Sequence, residues 1–236
     1  MSSLLSRRFF LRLTGALVSP GMIPAADSSP PSLDHILLGA ADLEAGVAYI
    51  EKESGVRAAG GGSHPGAGTR NALLSLGTER YLEIIAPDPQ QGGAHSPRLM
   101  ELADLKQPRL VGWAVHTKDI EAIARRLREA KIPAEGPNDG SRLRPDGKVL
   151  HWRTLVLRDD HAGLLPFFIE WGTGTVHPSM DAPSGCKLAS FEVQSQEDAQ
   201  LRELFQKMRI EVTVRPGPGL LRARIAGLRG EFELTS

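Results

Sequence analysis

A single cysteine, Cys186, stands among 236 residues. One thiol closes no internal disulfide and builds no cysteine cage, so any metal must rely on His, Asp or Glu. Charge of one sign is also lacking. The 28 Lys+Arg balance the 28 Asp+Glu, which excludes a broad electrostatic grip on nucleic acid or on an anionic membrane. What is present is the balance of an ordinary soluble globular protein, 41% hydrophobic and 24% charged, with length for one large or two small domains.

Ser6-Arg7-Arg8-Phe9-Phe10-Leu11-Arg12 precedes an apolar run from Leu13 to Met22 that Thr14, Gly15 and Ser19 keep only mildly hydrophobic. That order is the pattern of a twin-arginine export signal. The run is shorter than the roughly 20 residues of a membrane span, and no lipobox cysteine follows, so no stable membrane anchor is expected. Ala25 and Ala26 offer a cleavage site. The expectation is a signal peptide over 1–26, a Pro/Ser-rich flexible leader over 27–32, engagement of the twin-arginine export machinery, and a periplasmic or otherwise exported protein that travels folded.

Leu33 to Leu38 reads as an apolar strand, and Asp42 caps a helix extending to about Glu53. The same grammar returns 77 residues on: Leu110 to Val115 is a strand, and Asp119 opens a helix with Ile120, Ile123, Ala124 and Leu127 on one face. Each copy ends in an apolar strand with one embedded glutamate, Tyr81-Leu82-Glu83-Ile84-Ile85 and Phe167-Phe168-Ile169-Glu170-Trp171. Leu188 to Val193, a helix over Glu197–Met208 with Leu201, Leu204 and Phe205 inward, and strands at 210–214, 221–225 and 231–234 form a third, partial copy. Its turns are marked by Pro216-Gly217-Pro218-Gly219 and Gly227.

An unpaired carboxylate inside an apolar strand is costly. Glu83 and Glu170, read as repeat equivalents, therefore each need either a structural arginine partner or a shared site between the copies. His35 in the first strand is either a hydrogen-bonded core histidine or a metal ligand, since neutral imidazole with carboxylates suits zinc, iron, nickel or manganese. Its repeat equivalent is Gly112, but His116 falls on the same strand face as Gly112 and is a candidate for the same cavity. Gly60 to Asn71 reads as a glycine-rich loop that lets backbone approach a ligand and that carries His64, Arg70 and Asn71. It matches neither a phosphate-binding loop nor a dinucleotide fingerprint. Pro145-Asp146-Gly147 marks a hairpin turn, and Arg142, Arg144 and Arg153 around it are candidates for binding an anionic substrate.

Leu33-Asp34-His35, the Asp42-Leu43 helix start, Gly61 to Asn71, Tyr81-Leu82-Glu83 and Pro166 to Trp171 together resemble the glyoxalase-like domain of the vicinal oxygen chelate superfamily. The resemblance covers about 33–178, as modules near 33–89 and 109–178, and more weakly the segment 187–236. It implies an α+β fold of paired βαβββ modules whose strands curl around a cup. It also implies metal ligands on the first and last strands of each module, which are His35, Glu83 and Glu170 here, with Gly112 failing the fourth position. A divalent ion there, zinc, manganese, iron or nickel, would polarise vicinal oxygens of a small substrate for isomerase, lyase or dioxygenase chemistry. His64, His116 or Glu170 would move the proton. The rival expectation is a non-catalytic exported protein that sequesters a small molecule. In either case the ligand is expected to meet Asn71, Arg70, Tyr81, Trp113, Trp152 and Phe168. Module pairing within or between chains makes a homodimer a further expectation.

Overall fold

The computed structural model of the chain describes residues 30–91, 101–144 and 147–236. The expected signal peptide and most of the leader, and Pro145-Asp146 of the expected turn, lie outside the described residues.

Two βαβββ modules build one eight-stranded sheet. The first comprises β1 (Ser32–Gly39), α1 (Leu43–Ser54), β2 (Ala59–His64), β3 (Thr69–Ser75) and β4 (Tyr81–Pro87). The second comprises β5 (Arg109–His116), α2 (Ile120–Glu129), β6 (Ala134–Leu143), β7 (Val149–Leu157) and β8 (Phe167–Trp171). Each helix starts as its sequence directs. Asp42 accepts from the Ala45 N–H at 2.9 Å and Asp119 from the Ala122 N–H at 2.8 Å, satisfying a first-turn donor that has no partner within the helix.

The strand order is β2-β3-β4-β1-β5-β8-β7-β6. Within each module the first and last strands pair in parallel, while β1 and β5 join the modules antiparallel. The sheet curls until β2 and β6, its two ends, come into contact. One face looks into the cup. The other carries α1 and α2 and the main core, including Ile36, Leu38, Leu82, Ile84, Leu110 and Phe168. This is the mixed α+β, curled-sheet architecture that the family resemblance implies. One detail differs: the glycine-rich stretch is the β2–β3 hairpin, paired from Ala59 with Leu73 to His64 with Thr69.

The C-terminal segment folds as β9 (Lys187–Ser195), α3 (Asp198–Met208), β10 (Thr213–Pro216), β11 (Leu220–Gly227) and β12 (Gly230–Thr235). The element order is that of a module, but the pairing is not. β9 pairs in parallel with the next strand, β10, and antiparallel with β11, giving the separate sheet β10-β9-β11-β12. This sheet covers the back of β5. Trp113 is the seam, its ring against Phe191 and Phe205 and its indole N–H on the Leu164 carbonyl at 3.0 Å. Among the described residues no helix is long and apolar enough to cross a membrane.

Candidate functional site

The cup encloses a cavity of about 260 Å³, lined by alternate residues of its strands: His35 and Leu37, Asn71 and Leu73, Tyr81, Glu83 and Ile85, Leu150, Trp152 and Thr154, and Phe167, Ile169 and Trp171. His64 and Arg142 complete the wall. The alternation follows from the two-residue period of a strand.

A β-bulge positions the centre. Leu33 lies opposite Val115 and His35 opposite Ala114, so β1 spends one extra residue, Asp34, for a single step of β5. Asp34 and His35 are both buried, and His35 Nδ1 meets Asp34 Oδ1 at 2.5 Å. The other Asp34 oxygen accepts from the Trp171 indole at 3.0 Å and from His177 Nε2 at 3.1 Å. His177 Nδ1 takes the Ser179 N–H, which assigns the proton to Nε2. Burial works to raise the Asp34 carboxyl, but the hydrogen bonds from His177 and His35 outweigh it and hold the group well below the ordinary carboxylate range. His35 therefore presents Nε2 to the cavity. That atom is buried without a hydrogen-bond partner, 3.5 Å from Glu83 Oε2. The Tyr81 ring stacks on the imidazole at 4.5 Å. Burial, with Asp34 and Glu83 adding to it, pushes the Tyr81 phenol well above its usual value, so it stays neutral.

A second chain of contacts runs across the cup. Arg142 of β6 donates to Asn71 Oδ1 at 3.2 Å, and Asn71 Nδ2 donates to Glu83 Oε1 at 2.7 Å and to His64 Nε2 at 3.1 Å. His64 Nδ1 lies 2.9 Å from Thr69 Oγ1. Burial holds the His64 imidazole below its usual value, against the pull of Glu83, so it is neutral and its lone pair is engaged. Gly61 makes room for this chain. A Cβ there would stand 2.1 Å from Asn71 Oδ1 and 2.5 Å from Arg142 Nη1, a distance no side chain tolerates.

The structure brings His35, Glu83, His64, Asn71, Tyr81 and Trp152 together, and moves the other expected residues elsewhere. Glu170 is on the opposite face of β8, where it accepts from the Ile120 N–H at 3.2 Å, at the start of α2, beside Arg153 at 3.5 Å. Phe168 shares that face and is fully buried in the core. Trp113 lies behind the sheet. Arg70 points away toward Asp42, 3.7 Å distant. His116 does not line the cavity; it stands behind Asp34 at 3.6 Å, with Ser32 Oγ 3.3 Å from its Nε2.

The equivalence of Glu83 and Glu170 is corrected by register. Leu37 lies opposite Gly112 and His35 opposite Ala114, so the local two-fold axis exchanges His35 with Gly112 and Leu37 with Ala114. Leu37 pairs with Glu83, and Ala114 pairs with Phe167. Phe167 is thus the counterpart of Glu83. Glu170 lies three residues on, and an odd step reverses the face.

This decides the fit of a divalent ion. Of the expected set, Glu170 is on the wrong face, and the second module offers Gly112 and Phe167 where the first offers His35 and Glu83. Glu83 Oε1 and His64 Nε2 both take Asn71 N–H groups, leaving His35 Nε2 and Glu83 Oε2 free. Among the described residues no three His, Cys, Asp or Glu are arranged to hold a metal ion. The three protein ligands of a catalytic metal site are not met by this donor set. Missed in the sequence were Asp34, Phe167, Trp171 and His177, and the place of Arg142 in the wall.

Comparison with known proteins gives a consistent picture. The family model described as a glyoxalase-like domain matches residues 33–208. No curated protein matches the chain. A hypothetical protein from Staphylococcus aureus aligns over 86% of this chain and 85% of its own, at 18% identity and TM-score 0.59, which shows a shared fold. Methylmalonyl-CoA epimerase from Mycobacterium tuberculosis aligns over 63% of this chain and 92% of its own, at 20% identity and TM-score 0.44. The Streptomyces coelicolor enzyme, in complex with 2-nitronate-propionyl-CoA, aligns over 60% and 98%, at 21% identity and TM-score 0.46.

Proposed function

Because the chain belongs to the glyoxalase-like domain family, we propose that it is an enzyme that moves a proton on a small substrate with adjacent oxygens, using His35 where other chelate sites would use a metal. The observation that carries this reading is His35 Nε2, buried, unpartnered and facing the cavity while Nδ1 is fixed on Asp34. An imidazole so anchored has its lone pair at Nε2 and takes a proton from a carbon beside a carbonyl. Asp34, held ionised by Trp171 and His177, stabilises the imidazolium that forms. Glu83, a carboxylate 3.5 Å away, is placed to accept that proton from the imidazolium and deliver it to the substrate at a second position, so that both groups end as they began, which is what isomerisation requires. The Arg142 guanidinium lies in the same wall to offset charge developing on the substrate oxygens. Two free donor atoms fall short of the three protein ligands of a catalytic metal site, and the proton transfer runs through His35 and Glu83 alone.

The aromatic lining supports one competitor, a protein that sequesters its ligand without turnover. Incubation of the purified protein in D₂O with 2-hydroxyketones and 2-oxoacids separates the two. The proposal expects deuterium at the carbon beside the carbonyl, at a rate lowered about a hundredfold or more in His35→Asn. Compounds that stabilise the protein yet acquire no deuterium would establish the sequestering protein instead.

We also infer that the protein acts after export by the twin-arginine route, from Arg7-Arg8 before the run Leu13 to Met22. Residues 1–32 fused to a reporter should direct its export, and Arg7→Lys with Arg8→Lys should stop it; export unaffected by that change would overturn the inference.

A further inference from the structure

Arg142 is only 4% exposed. The more exposed Arg57, Arg144, Arg153 and Arg215 each hold a carboxylate, whereas Arg142 has none within 4.0 Å among the described residues. One of its five N–H donors is used by Asn71, and Glu83 reaches it only through that amide. A guanidinium withdrawn from water without an anion is costly, and this one borders a cavity whose wall also carries the apolar side chains of Leu37, Leu73, Ile85, Leu150 and Phe167.

We infer that the substrate carries a carboxylate that docks on Arg142, with an apolar or aromatic body against those five side chains. The inference rests on the reading of the cup as the substrate site and names the class of substrate. A planar carboxylate matches the guanidinium fork. A single negative charge is favoured over a phosphate dianion because Asp34 and Glu83 already place two carboxylates in the same site. Size restricts the ligand further. The cavity of about 260 Å³ falls below the roughly 300–1,000 Å³ of most small-molecule sites, so a nucleotide-sized anion does not enter whole.

The test measures binding of phenylacetate, phenylacetamide and phenyl phosphate to the purified protein by calorimetry. Phenylacetate should bind at least about tenfold more tightly than the amide or the phosphate, as one charge-assisted hydrogen-bonded pair provides. Arg142→Gln should bring acid and amide within about twofold, and Arg142→Lys, which keeps charge without the fork, should fall between. A wild-type protein with no preference for phenylacetate, including one that binds none of the three, overturns the inference whatever the variants do. So does a preference that survives in Arg142→Gln, and a phosphate that binds best replaces the carboxylate. Carboxylate preference without deuterium exchange would remove the proton-transfer reading and leave this one standing; exchange without preference would do the reverse.

Discussion

Phe167 occupies in the second half of the sheet the place that Glu83 occupies in the first, and its ring meets the His35 imidazole edge-on at 5.4 Å between centroids. A duplicated fold has thus become asymmetric at its centre. The first module supplies His35, Glu83, His64 and Asn71, and the second supplies Arg142 and most of the aromatic wall against which they work.

Gly112→His with Phe167→Glu would restore donors at both vacant positions. A Cβ on Gly112 meets nothing within 4 Å, so the backbone accepts the change. The double variant should bind zinc at least about tenfold more tightly than the parent, by calorimetry. Equal affinities would show that the register equivalence does not translate into a shared centre.

Glu170 and Glu83 should part company on substitution. Glu170→Gln keeps an acceptor for the Ile120 N–H, so chemical unfolding should shift by about 1 kcal/mol or less and deuterium exchange should persist. Glu83→Gln removes the carboxylate beside His35 and should lower exchange by about a hundredfold or more.

Asp34→Asn exchanges an anion holding His35, His177 and Trp171 for a neutral amide. Loss of about 3–5 kcal/mol is expected at pH 7 in urea unfolding. The folded carboxyl lies below its unfolded value, so its contribution is complete above the unfolded value near about 3.9 and is lost as pH falls through the folded one. The gap between wild type and variant should therefore narrow below about pH 4. A gap independent of pH would contradict this.

His64 has the same sign for a different reason. Burial depresses the folded imidazole, so below the unfolded value of about 6.5 the unfolded chain binds the extra proton and stability declines with pH. His64→Gln should lose less stability than wild type between about pH 7.5 and 5.5. Parallel melting curves in the two proteins would show that His64 is accessible to protons in the fold.

Gly61→Ala sets a methyl group against Asn71 and Arg142. A cost of about 1–3 kcal/mol is expected, together with loss of phenylacetate selectivity, because Arg142 can no longer reach Asn71. Unchanged selectivity would show that Arg142 does not need that contact.

The elements were legible wherever one local rule governed them. Asp42 and Asp119 announced both helices, the buried face of α2 was the one the helical period assigns, and β4 and β8 were apolar runs. The glycine-rich hairpin was not, because Gly61 and Gly62 answer to Asn71 and Arg142 across the sheet and leave no strand-like pattern behind. Site residues failed for a sharper reason. Along β8 every residue is apolar or aromatic except Glu170, so its sequence does not say which alternation faces inward. Only pairing with β5 decides, and it chooses Phe167, Ile169 and Trp171. Asp34 beside His35 was visible, but a bulge that turns both side chains to one side is a property of two strands together. His177 lies far along the chain from Asp34 and shows no local signal.

The Arg142–Asn71 contact ties β6 to β3 beside the meeting of β6 with β2, where the two ends of the eight-stranded sheet come together. Binding at that wall and closing of the sheet are then linked equilibria: an anion held by Arg142 is a clasp on the barrel's open side. Such a ligand should slow amide exchange most in β2 and β6, the two ends of the sheet order, and so report on closure from strands other than the one that carries His35.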